Sequence, residues 1–160
     1  MDILKGVVLL CLLAVFIQDW KSRKIHVVLP VALFLASYFL VTQQRKGNIT
    51  LILYNAFIFM IILTVMILYM SLKNKRFLNP FQNYFGLGDF LFFIAITPLF
   101  LRNNYILFII LAMVFSLVVQ VVFRRIIKRD MVPLAGLSAL LLAILCIKDM
   151  LFDFNPVTLL

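Results

Sequence analysis

The chain has 160 residues, 66% of them hydrophobic and 13% charged, against about 25% charged in an ordinary soluble domain. With a mean hydropathy of +1.17, it holds more apolar side chain than one water-soluble core of this size can hide, so it reads as an all-α integral membrane protein. The net charge of +9 does not point to nucleic acid, because the 15 Lys and Arg residues fall in short segments between apolar blocks, where they set topology and meet anionic lipid.

A bilayer span takes about 20 residues, and breaking the chain at its charge clusters predicts six helices, over 3–18, 27–42, 50–71, 89–101, 104–123 and 133–148. The first apolar block runs from Ile3 to Ile17 and ends in Gln18-Asp19-Trp20-Lys21, not in a small-residue cleavage site. It is therefore a retained first span and not a signal peptide. The second helix contains Pro30 and the fourth Pro98, both expected to kink their helices, while Pro133 suits the first turn of the sixth. The one long connection, Lys73 to Gly88, carries Asn79-Pro80 and the rings of Phe77, Phe81, Tyr84 and Phe85. Those rings suit either an interfacial belt or the holding of an extended peptide. No repeat or domain boundary interrupts the pattern, so a single transmembrane domain over 1–160 is expected. Cys11 and Cys146 sit inside apolar blocks without a CxxC, and His26 is the sole histidine. No metal or cofactor site is expected from them.

Orientation follows from the basic residues. The first, third and fifth connections hold Lys21, Arg23 and Lys24, then Lys73, Lys75 and Arg76, then Arg124, Arg125, Lys128 and Arg129. The opposite side has only Lys5, Arg45, Lys46, Arg102 and Lys148. This two-to-one bias places the odd connections in the cytoplasm and both termini on the non-cytoplasmic side.

The acidic residues are few and all aspartate, six in number. Asp2, Asp149 and Asp153 lie near the termini, and Asp130 lies among Arg125, Lys128 and Arg129, where a solvated loop ion pair accounts for it. Asp19 at the end of the first helix and Asp89 at the start of the fourth remain, and the topology brings both to the cytoplasmic face. Each has an ordinary explanation: Asp19 can pair with Arg23 one turn on, and Asp89 can answer a helix dipole. The local sequence around Asp89 adds weight, since Gly86 and Gly88 put two of the chain's five glycines within three residues of it. Glycine frees the backbone and lets a neighbouring helix come close, so this turn is expected to project Asp89 toward a partner helix.

Three segments then resemble the type IV prepilin peptidases and archaeal preflagellin peptidases, a family of intramembrane aspartyl proteases. Gly86-Leu87-Gly88-Asp89 matches the family's GxGD motif. Asp19-Trp20-Lys21-Ser22-Arg23-Lys24-Ile25 is similar to the motif after its first core helix. Met131-Val132-Pro133-Leu134-Ala135-Gly136 is similar to the small-residue and proline motif opening its last helix. The chain departs from the family pattern at His26, where proline is usual, and at Leu91, where many members have lysine. It also lacks the paired CxxC motifs and the methyltransferase region of many bacterial members, so a peptidase-only short form is expected, without a zinc-binding domain.

The resemblance implies Asp19 and Asp89 as the catalytic pair, with Gly86, Gly88, Pro133 and Gly136 shaping the site. It implies a membrane-anchored, pilin-like precursor with a basic leader, cut at the cytoplasmic face of a prokaryotic inner membrane. Chemistry supports the pair independently: amide hydrolysis needs a base to activate water and an acid to protonate the departing nitrogen, and two carboxyls sharing one proton supply both. The alternative is a small proton- or cation-coupled transporter using the same acids. Depth separates the two readings, since a transporter site usually lies near the bilayer midplane and both acids are expected at one edge.

Overall fold

The computed structural model describes residues 2–22, 25–44, 49–74, 86–123 and 133–151. Six α-helices account for most of them: α1 (Asp2–Ser22), α2 (Val28–Gln44), α3 (Ile49–Asn74), α4 (Leu87–Ala95), α5 (Arg102–Phe123) and α6 (Leu134–Leu151), with a 3-10 turn over Thr97–Leu99 between α4 and α5. Among the described residues there is no strand. Helices suit so apolar a chain, because between their ends they satisfy the backbone donors and acceptors within one segment where no water can. Helices α1, α3 and α5 are long and apolar enough to cross a membrane, whereas α2, α6 and the α4 region are shorter apolar segments. The outward faces are apolar as well: Ile17, Leu53, Val65, Leu117 and Val121 all stand exposed. A helix hydrophobic all round belongs in lipid or in a large core.

The packing centres on α1, which lies against α6 and α2; α5 also packs on α6. Helix α4 and its 3-10 turn lie against α2 and α3, and α4 also meets α6. The core is built from Leu12 and Val15 of α1, Leu33 of α2, Phe92 and Phe93 of α4, Tyr105 and Phe108 of α5, and Leu142 of α6. On α6, Ala135, Ala139 and Ala143 recur at helical spacing and are buried, the small-residue stripe that lets helices approach closely. Phe59 of α3 stacks on Phe93 with ring centroids 5.4 Å apart and so holds α3 to α4.

Five of the predicted helices lie where expected to within a few residues, and the fourth differs. In place of an unbroken 89–101, α4 starts at Leu87 and stops at Ala95. Pro98 does not kink this helix but helps end it, because proline offers no amide to the carbonyl four residues back. That carbonyl, of Ile94, instead accepts the Thr97 hydroxyl at 2.8 Å. Phe93 O accepts the Tyr105 hydroxyl at 2.9 Å, and the side-chain amide of Asn55 on α3 donates to Thr97 O at 3.0 Å and Phe100 O at 2.8 Å. Irregular backbone is tolerated in an apolar setting only where protein groups satisfy it, and here Asn55, Thr97 and Tyr105 are fully buried. Pro30 likewise lies third in α2, within its first turn, where a missing amide costs nothing. Replacing Asn55 with Ala strands two buried carbonyls, and unfolding in detergent should show a loss of about 1–3 kcal/mol; a change within experimental error would mean the turn does not depend on this side chain.

Candidate active site

Three helix ends meet at one end of the bundle: the C-terminus of α1, which carries Asp19, the N-terminus of α4, which carries Asp89, and the N-terminus of α6. Helix α6 begins just after Pro133, whose carbonyl accepts the amide of Leu137 at 3.0 Å. The first amides of any helix lack partners within it and carry the positive end of its dipole. In α6 two of them turn to carboxylates from elsewhere in the chain. The Ala135 amide donates to Asp89 Oδ1 at 2.7 Å and the Gly136 amide to Asp19 Oδ2 at 2.7 Å. Both are short, as hydrogen bonds to ionised acceptors are.

Consecutive amides therefore hold both aspartates. Adjacent backbone nitrogens stand within about 3.7 Å of each other at standard bond lengths, so the two bound carboxylate oxygens can be no more than ~9 Å apart. The carboxylates are near enough for their charges to repel. Asp19 is 6% exposed and Asp89 is half-buried. Oδ2 of Asp89 also accepts the Gly86 amide at 3.1 Å, the return half of a capping box at the start of α4. The ordinary role for Asp89, as an N-terminal helix residue, and its link to α6 thus use different oxygens of one carboxylate.

Of the two purposes expected of Gly86 and Gly88, a freed backbone and a close approach, the structure shows only the second, at Gly88. Gly86 precedes α4 with φ −72° and ψ 144°, an extended conformation open to any residue, and Gly88 is the second residue of α4 itself. Gly86 and Gly88 form no special turn, and Asp89 reaches α6 from an ordinary helix start. What Gly88 and Gly136 supply is space. A β-carbon on Gly136 would stand 3.0 Å from Asp19 Oδ2 and 3.1 Å from Asp19 Cβ. One on Gly88 would stand 3.0 Å from Ile25 Cδ1, and one on Gly86 would stand 3.1 Å from Asp89 Oδ2. The connection after α1 is tied back to that helix, with the His26 amide donating to Gln18 Oε1 at 3.2 Å.

Asp19, Asp89, Gly86, Gly88, Pro133 and Gly136 therefore gather at one end of the fold. The amide of Ala135 joins them as a site group that sequence reasoning passed over, because every residue but proline has an amide and only the fold shows which ones lack a helical acceptor. Arg23, most of the Lys73 to Gly88 connection, Asp130 and the segment before Pro133 lie outside the described residues. Among the described residues no three His, Cys, Asp or Glu side chains gather to hold a metal ion. Two carboxylates thus stand at one helix start at the edge of an apolar bundle, with one oxygen of each fixed by backbone.

A family model described as the type IV leader peptidase family matches residues 6–121, a span that includes Asp19 and the whole of Gly86-Leu87-Gly88-Asp89. Pro133 and Gly136 lie beyond it. No curated protein and no solved structure matches the chain. The transporter reading gains no support from these comparisons.

Proposed function

The chain belongs to the type IV leader peptidase family, and from that premise we propose that it is an aspartyl endopeptidase whose catalytic pair is Asp19 and Asp89. The observation that carries this reading is that consecutive amides at the start of α6 hold a carboxylate oxygen from each. One carboxylate takes a proton from water as the oxygen attacks the scissile carbonyl. The other, protonated, gives its proton to the nitrogen as the carbon–nitrogen bond breaks, which leaves a new carboxylate and a new amino terminus. The amides of α6 hold both groups through this exchange without moving, which is the value of a preorganised site.

The remaining parts of the reading follow from the placement of the pair. The bundle lies across a prokaryotic inner membrane, with both termini outside and the ends of α1, α4 and α6 that carry the site at the cytoplasmic edge, as the distribution of basic residues favours. The substrate is a membrane-anchored, pilin-like precursor whose basic leader stays in the cytoplasm, so its cleavage point lies at the depth of Asp19 and Asp89. Anionic lipid gathers around the basic connections. The experiment is co-expression with a pilin-like precursor, read as a mobility shift, with the new amino terminus sequenced. A shift that requires this chain and maps to the junction between leader and hydrophobic segment is expected; processing that occurs equally without the chain would overturn the proposal.

A further inference from the structure

We infer that Ile25 and Gly88 form a depth gauge that sets Asp89 level with Asp19, which makes Ile25 a positioning residue for the reaction. This rests on the reading of the two aspartates as the catalytic pair. The two residues belong to the two segments that carry those aspartates. Asp19 lies in the last turn of α1 and Ile25 follows six residues later, before α2; Gly88 immediately precedes Asp89 in α4. Of the ways α4 could be set against the α1–α2 connection, the close seat of Ile25 on Gly88 selects one.

The contact is tight along the whole Ile25 side chain. A β-carbon at position 88 would lie 3.0 Å from Ile25 Cδ1, 3.1 Å from Cγ1 and 3.2 Å from Cβ. Cδ1 and Cγ1 make the closest approaches, and the Ile25 side chain that carries them packs against the core on a backbone anchored through the next amide, of His26, to Gln18. Gln18 is the residue before Asp19. Any side chain at position 88 therefore makes α4 and its support, which is fixed to the other aspartate's own helix, part by a few tenths of an ångström. Asp89 must then leave the level at which α6 can hold it beside Asp19. A small shift of this kind lowers the rate of the chemical step and leaves the leader's binding alone, because misplacement by about 1 Å is enough to cost roughly a hundredfold.

The test is a cycle of Gly88→Ala, Ile25→Ala and the double variant, with two readouts. In the cleavage assay, Gly88→Ala should lower kcat at least about tenfold with KM unchanged, and Ile25→Ala, which removes the support, should lower kcat severalfold. Combining them should restore activity well above Gly88→Ala alone, since the Cδ1 and Cγ1 clashes are gone. The second readout needs no catalysis. In a chain with Cys11 and Cys146 replaced by Ser, D19C and D89C are joined by a short bifunctional thiol reagent, efficiently with Gly88, poorly with Gly88→Ala, and efficiently again with Ile25→Ala added. Should the aspartates prove not to be catalytic, this second readout still judges the gauge by itself. Equal crosslinking in all backgrounds, full kcat in Ile25→Ala, or a double variant no better than Gly88→Ala would each overturn the inference.

Discussion

Asp19→Asn and Asp89→Asn should each lower kcat for precursor cleavage by about 10³-fold or more, with membrane levels unchanged. The case for an effect on chemistry and not on folding lies in the geometry of α6. Each aspartate accepts one backbone amide from that helix, and an asparagine placed the same way still offers a carbonyl oxygen to that amide; at position 89 only the bond from the Gly86 amide, at the start of α4, is lost. Capping of α6, and with it the meeting of three helix ends, is retained. What asparagine cannot do is take a proton from water or hand one to a departing nitrogen. A variant that keeps its structure and loses its rate is the signature of proton chemistry at that position, and the assay is a time course of precursor processing in membranes matched for protein level.

The second large effect is expected at a residue without a side chain. Gly136→Ala should reduce cleavage by about a hundredfold, while Gly6→Ala, in the same fold, should leave it unchanged. By helix propensity alone both changes should stabilise, since alanine exceeds glycine by about 1 kcal/mol within a helix. The difference is local. Around Gly6 nothing lies within 4 Å of an added β-carbon, whereas at Gly136 the carboxylate, Cβ and Cγ of Asp19 lie at 3.0 to 3.4 Å. The added methyl displaces Asp19 from the amide that holds it. The measurement is kcat and KM for both variants beside their thermal unfolding in detergent; a Gly136→Ala protein that unfolds at or above the wild-type temperature yet cleaves slowly separates positioning from stability.

Side-chain chemistry in this chain was legible from the sequence, and backbone chemistry was not. With so few acids in so apolar a chain, Asp19 and Asp89 stand out, and charge clusters mark most helix limits because lipid excludes them. The amides of Ala135 and Gly136 leave no such trace: their importance arises only once α6 starts opposite two carboxylates. Glycine is ambiguous for a related reason. Gly86 and Gly88 look like a turn, since conformational freedom is a property of the residue itself, but the space that Gly88 provides is for Ile25, 63 positions away in the chain, and no local pattern encodes that partner. The stop of α4 at Ala95 was half visible. Pro98 marks a disturbance, but whether the helix kinks or ends depends on whether the freed carbonyls find donors, and those come from Asn55 and Tyr105 on other helices.

The most direct test of the paired mechanism is the full cycle of wild type, Asp19→Asn, Asp89→Asn and the double variant, assayed on one labelled precursor in liposomes with long incubations to quantify residual cleavage. If the two carboxylates act as a unit, removing either destroys what both provide, and the double variant cleaves as slowly as each single variant and no more slowly, the non-additivity expected of groups that share one step. Cleavage by either single variant within about tenfold of wild type, or a double variant slower by the product of the two single losses, would contradict the two-carboxylate mechanism.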